Sequence, residues 1–82
     1  MTEKEEFIKR IQTVLQTRSG VILGTSILKN NFTKLNKDVA SMTKDDGKVL
    51  IENIVRAVSL FGTKDETNLV RAELEKSLPL LS

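Results

Sequence analysis

Eighty-two residues, with 13 Lys and Arg against 11 Asp and Glu and with no Cys or His, read as one small domain of net charge +2 spanning residues 1–82. The missing cysteines exclude a disulfide framework and a thiolate zinc site; the missing histidines remove the usual general base near neutral pH and the commonest metal ligand. Trp and Tyr are absent as well, and the three Phe that remain are too few for an aromatic stacking platform on single-stranded nucleic acid.

The opening Met-Thr-Glu-Lys-Glu-Glu is acidic and polar, not a basic stretch followed by an apolar run, so no secretion signal is read there and a cytoplasmic address is expected. A first helix is expected from about Glu3 to Arg18. Thr2 followed by Glu5 has the spacing of a capping box, in which the threonine oxygen and the acid satisfy each other's backbone amides. Phe7, Ile8, Ile11, Val14 and Leu15 then fall on one helical stripe. Gly20 is suited to end this helix in a conformation with positive φ.

The second segment is read as one helix from about Val21 to Met42, irregular near Gly24 to Ser26. Leu28, Phe32, Leu35, Val39 and Met42 keep a 4-3-4-3 spacing across it. Gly24 is expected to permit close approach of another helix. Thr43 and Asp46 form a second box, weaker on paper because Asp is the shorter partner and Gly47 follows. The third helix is expected from about Asp46 to Phe61, with apolar residues nearly all round, which requires cover on several sides. Thr63 and Glu66 form the third box, and a fourth helix follows from about Lys64 to Leu78, where Pro79 discourages continuation. The expected fold is all-α, an antiparallel four-helix bundle with short connections.

Recognised catalytic and metal-binding patterns fail on inspection. Asp45-Asp46-Gly47 has the turn of a calcium loop, but Met42 and Lys44 occupy the upstream ligand positions. Gly20 to Ser26 has glycines and hydroxyls yet lacks the lysine and spacing of a phosphate loop. The paired carboxylates sit at helix starts, where capping accounts for them. No catalytic residue, metal ligand or cofactor is therefore assigned, and the chain is expected not to be an enzyme.

The positive signal is a charge asymmetry. Phe7 to Lys37 holds six bases and no acid, a segment of +6 flanked by segments of −2 on each side. On a helical hairpin turning near Gly20, Lys9, Arg10, Lys29, Lys34 and Lys37 are expected to converge as a patch for nucleic acid or another anionic surface, while Arg18 serves its own helix end. The apolar candidates for a dimer or partner interface are Val21, Ile22, Ile51, Val55, Val58, Leu80 and Leu81. The leading expectation is a small non-enzymatic regulator that binds a protein partner, as a homodimer. The alternatives are a nucleic-acid binder using the basic patch, and a peripheral membrane or immunity-type protein. For the membrane reading, Val21-Ile22-Leu23 would act as the apolar anchor. No family motif appears.

Overall fold

The local signals at the helix starts are realised in space. The computed structural model describes residues 2–81. It contains α1 (Glu3–Ser19), α2 (Val21–Leu35), α3 (Lys44–Val58) and α4 (Lys64–Glu75), with short 3-10 turns at Val39–Ser41 and Leu78–Leu80. Thr2 Oγ1 accepts the Glu5 amide and the Glu5 carboxylate accepts the Thr2 amide, both at 3.1 Å. Thr43 and Asp46 close the same reciprocal pair, at 3.2 and 2.9 Å. The third box forms on one side: Thr63 accepts the Glu66 amide at 3.1 Å, and among the described residues no bond returns from the Glu66 carboxylate. The second box is thus better closed than the third, against expectation. Lys37 supplies the physical reason, because its ammonium lies 2.9 Å from Asp46 Oδ2, the oxygen that also accepts the Thr43 amide.

The helices form an antiparallel ring in which α1 packs on α2 and α4, and α3 packs on the same two helices. The result is the expected all-α four-helix bundle, 32 × 21 × 20 Å. No helix among the described residues is long and apolar enough to cross a membrane. Phe7, Ile11 and Leu15 of α1 meet Ile27 and Leu28 of α2, Leu50, Ile51, Ile54, Val55 and Val58 of α3, and Val70 and Leu74 of α4. Met42 and Leu81 complete this core from the connections.

Two glycines shape the α1–α2 pair. Gly20, with φ 88° and ψ 160°, is the whole connection between the two helices. That combination is essentially closed to residues with a Cβ. At Gly24 an added Cβ would lie 2.7 Å from the carbonyl carbon and oxygen of Leu15 and 2.8 Å from the Gln16 nitrogen. The backbones therefore touch where only glycine fits, and Gln16 Nε2 donates to Thr25 Oγ1 at 3.0 Å beside the contact.

The second helix departs from expectation. It runs regularly through Gly24 to Ser26 and stops at Leu35, not Met42. Asn36 takes the left-handed conformation (φ 55°, ψ 37°), which Asn tolerates better than most residues. Asp38 then accepts the Ser41 amide at 2.9 Å and starts the 3-10 turn. Lys4 Nζ donates to the Ala40 carbonyl at 2.7 Å, tying that turn back to α1. Met42 still reaches the core, but the chain folds back to bring it there, and Val39 stays half-buried in the turn. The third helix begins and ends earlier than expected, leaving Leu60 and Phe61 in the turn beyond it. The fourth stops at Glu75, and Leu78–Leu80 forms a separate turn that seats Leu81 in the core.

Candidate interaction surface

The bases of the acid-free segment are not gathered on one face. Lys9 and Arg10 line a shallow groove between α1 and the end of α4, together with Glu6, Glu73 and Lys76. Arg10 also pairs with Glu6 one turn back, Nε to Oε1 3.3 Å. Lys34 lines the groove between α2 and α3, on the opposite side of the ring. Lys37 is paired with Asp46, and Arg18 crosses to Glu73 on α4 instead of serving only its own helix end. Lys29 is exposed on α2. Lys9 and Arg10 are neighbours on α1, Lys34 lines a different groove, and Lys37 is taken up by Asp46.

The carboxylates with displaced pKa values are occupied structurally. The Asp46 carboxyl is held low by the Lys37 hydrogen bond and then by the Thr43 amide. Glu73 is lowered by the Arg18 guanidinium, Glu5 by the Thr2 amide, and Asp38 by Ser41. Each belongs to a cap or an ion pair. Among the described residues no three acidic side chains gather as a metal set.

The apolar candidates divide sharply. Ile51, Val55 and Val58 are core residues, and Ile51 is only 2% exposed. These three residues of α3 are covered within the chain, by its ring neighbours and by the C-terminal turn, whereas Val49 of the same helix is half exposed. Leu81 is likewise buried, and Leu80 is half-buried beside the start of α1. Val21 and Ile22 behave differently, at 65% and 85% exposed. Leu60 and Phe61, at 79% and 66% exposed, lie at the same end, because the α1–α2 joint and the α3–α4 turn share one end of an antiparallel ring.

Leu60 and Phe61 are the residues that sequence reasoning missed. It placed them on the last turn of the third helix, where their apolarity seemed to serve the core. Their signal was the Gly62-Thr63 pair directly after them, where the chain turns into the next capped helix. The Leu60, Phe61 and Gly62 amides bond back to Ala57 and Val58, closing the turn tightly and leaving both side chains outside.

From this end a groove of about 390 Å³ runs down between α2 and α3. Leu23, Ile27, Ala57, Leu60 and Phe61 supply its apolar lining; Asn30, Asn53, Arg56 and Lys34 supply its polar lining. No acid lines it. Neither Arg56 nor Lys34 has an ion-pair partner among the described residues. No family model, no curated protein and no solved structure matches this chain.

Proposed function

We propose that this chain is a non-enzymatic interaction module, a small helical regulator or adaptor that binds a protein partner through the apolar end of its bundle. The observation that carries this reading is the exposure of Val21, Ile22, Leu60 and Phe61, each at least 65% exposed, on the two turns at one end of the bundle. Single exposed apolar side chains are ordinary, but a group of them covering a few hundred Å² is at the size that marks interaction sites. Keeping such a group in water forgoes roughly 1.5–3 kcal/mol per side chain relative to full burial, so a partner that covers it gains from the contact.

Two further features support the reading. The displaced carboxylates are used in caps and ion pairs, and the chain has neither Cys nor His. Lys9 and Arg10 line one groove and Lys34 another, with Lys37 paired to Asp46, which disfavours a single track for a phosphate backbone. A homodimer through Ile51, Val55 and Val58 is disfavoured because these residues are buried inside the chain, while one through the Val21 end would use the same exposed residues as a partner protein.

Site-specific photo-crosslinking tests the proposal. A photoreactive phenylalanine analogue is placed at Ile22 or Phe61, and as controls at the exposed Asp45 or Ala72, in cells that naturally make the protein. Discrete protein adducts are expected at positions 22 and 61 only. Adducts of equal intensity at all four positions, or at none, refute a docking surface at this end.

A further inference from the structure

Building on that reading, we infer that the groove between α2 and α3 receives an acidic amphipathic helix of the partner protein. Charge selects the partner. Arg56 and Lys34 both line the groove, neither is neutralised by an acid, and no acid lines it anywhere. The other grooves differ: the one between α1 and α4 sets Glu6 and Glu73 against its bases, and the one at the start of α1 carries Glu3, Glu5 and Asp38. A carboxylate that reaches the α2–α3 groove thus meets two cations and no competing anion.

Shape and backbone chemistry select a helix. From Leu23 to Lys34 the groove follows eleven residue steps of α2, about 16 Å at 1.5 Å per residue, or three turns. Leu23, Ile27, Ala57 and Phe61 offer seats for side chains spaced i, i+4 and i+7, the pattern of helix-in-groove recognition. An extended segment would bring unpaired amides and carbonyls against this apolar lining. The described residues contain no strand edge to pair with them, whereas a helix satisfies its own backbone. The antiparallel packing of α2 and α3 fixes the polarity of the site: Leu23, Leu60 and Phe61 at the bundle end, then Arg56, then Lys34 farther down. The partner helix therefore has its apolar anchors toward the bundle end and its Asp or Glu toward Lys34.

The test uses designed peptides and the full chain. One 14-residue peptide carries Leu at i, i+4 and i+7, Glu on the flank and one Trp. A second has every Glu replaced by Lys, and a third is a scramble of the first. The protein has no Trp, so peptide fluorescence reports binding directly. The acidic helix is expected to bind more tightly than the other two. The double variant Lys34→Glu/Arg56→Glu is expected to weaken that binding at least tenfold and to favour the basic peptide. Its melting curve checks folding, and Lys9→Glu/Lys29→Glu, which lies outside the groove, should leave binding within twofold. Equal binding of all three peptides, indifference to the double reversal, or no binding at millimolar peptide overturns the inference. Binding of duplex DNA that is lost in the same double variant also overturns it, as does a homodimer in sedimentation that Phe61→Ser abolishes. The crosslinks at Ile22 and Phe61 are read independently, so the groove assignment can fail while the interaction module stands.

Discussion

Gly24→Ala measures how closely α1 and α2 approach. In an isolated helix this change is favourable by up to about 1 kcal/mol, because alanine is the better helix former. Here the new methyl carbon would stand 2.7 Å from the carbonyl carbon and oxygen of Leu15 and 2.8 Å from the Gln16 nitrogen. Carbon pairs prefer about 3.5 Å or more, so the helices must part by roughly 0.8 Å at this level. All three obstructing atoms are backbone, and no side chain can swing aside. Gln16 and Thr25 also lose part of their 3.0 Å hydrogen bond. Overpacking costs about 1–3 kcal/mol; with only backbone atoms in the way, the upper part of that range, about 2–3 kcal/mol, applies here, which less the gain in helix propensity leaves a net loss of about 1–2 kcal/mol. For a domain of this size that lowers the melting temperature by about 5–15 °C. Thermal and urea unfolding followed by far-UV circular dichroism measure it. Gly62→Ala is the control, because its added carbon meets nothing nearer than 3.6 Å. A Gly24→Ala protein as stable as the parent would refute the backbone contact.

The division between core and surface predicts opposite responses from residues that look alike in sequence. Ile51→Ala should cost about 2–5 kcal/mol, while Ile22→Ser and Phe61→Ser should each change stability by less than about 0.5 kcal/mol, as read from urea midpoints. Acid should destabilise the fold. Glu5, Asp38, Asp46 and Glu73 all have folded-state pKa values below their ordinary ones. The stability each contributes is complete above its unfolded pKa, near 4, and is lost as pH falls through the lower folded value. Urea midpoints should therefore hold level from pH 7 to about 5 and fall below about pH 4; a flat profile down to pH 2.5 would show that these caps and ion pairs contribute nothing.

Features that depend on a few neighbouring residues were legible in the sequence. The Thr2, Thr43 and Thr63 starts needed only a hydroxyl and an acid three residues on, and Gly24 announced close packing by lacking a side chain. The end of the second helix was hidden because Leu28, Phe32, Leu35, Val39 and Met42 keep helical spacing through the break. A linker that leaves its helix and folds against α1 can keep the same spacing. Asn36 and Asp38 were the local signs, and hydrophobic periodicity outweighed them. That α3 needs cover on several sides was legible, but not what covers it, because the cover comes from residues far along the chain, including Leu81, which packs against the bare Gly47 backbone. For the bases, spacing along one helix says nothing of the direction in which a neighbouring helix sits. Lys9 and Lys34 could not be assigned to opposite grooves until the ring was known.

The packing at Gly47 also fixes how the molecule can be held. Phe7, near the start of α1, and Leu78 and Leu81, near the end of the chain, meet at this one glycine. The first and last described residues therefore sit together at one pole, while Val21, Ile22, Leu60 and Phe61 occupy the other. A tether attached at either terminus leaves the apolar pole pointing outward and unobstructed. The two poles, one holding both ends of the described chain and the other its most exposed apolar side chains, are thus separated by the length of the helices.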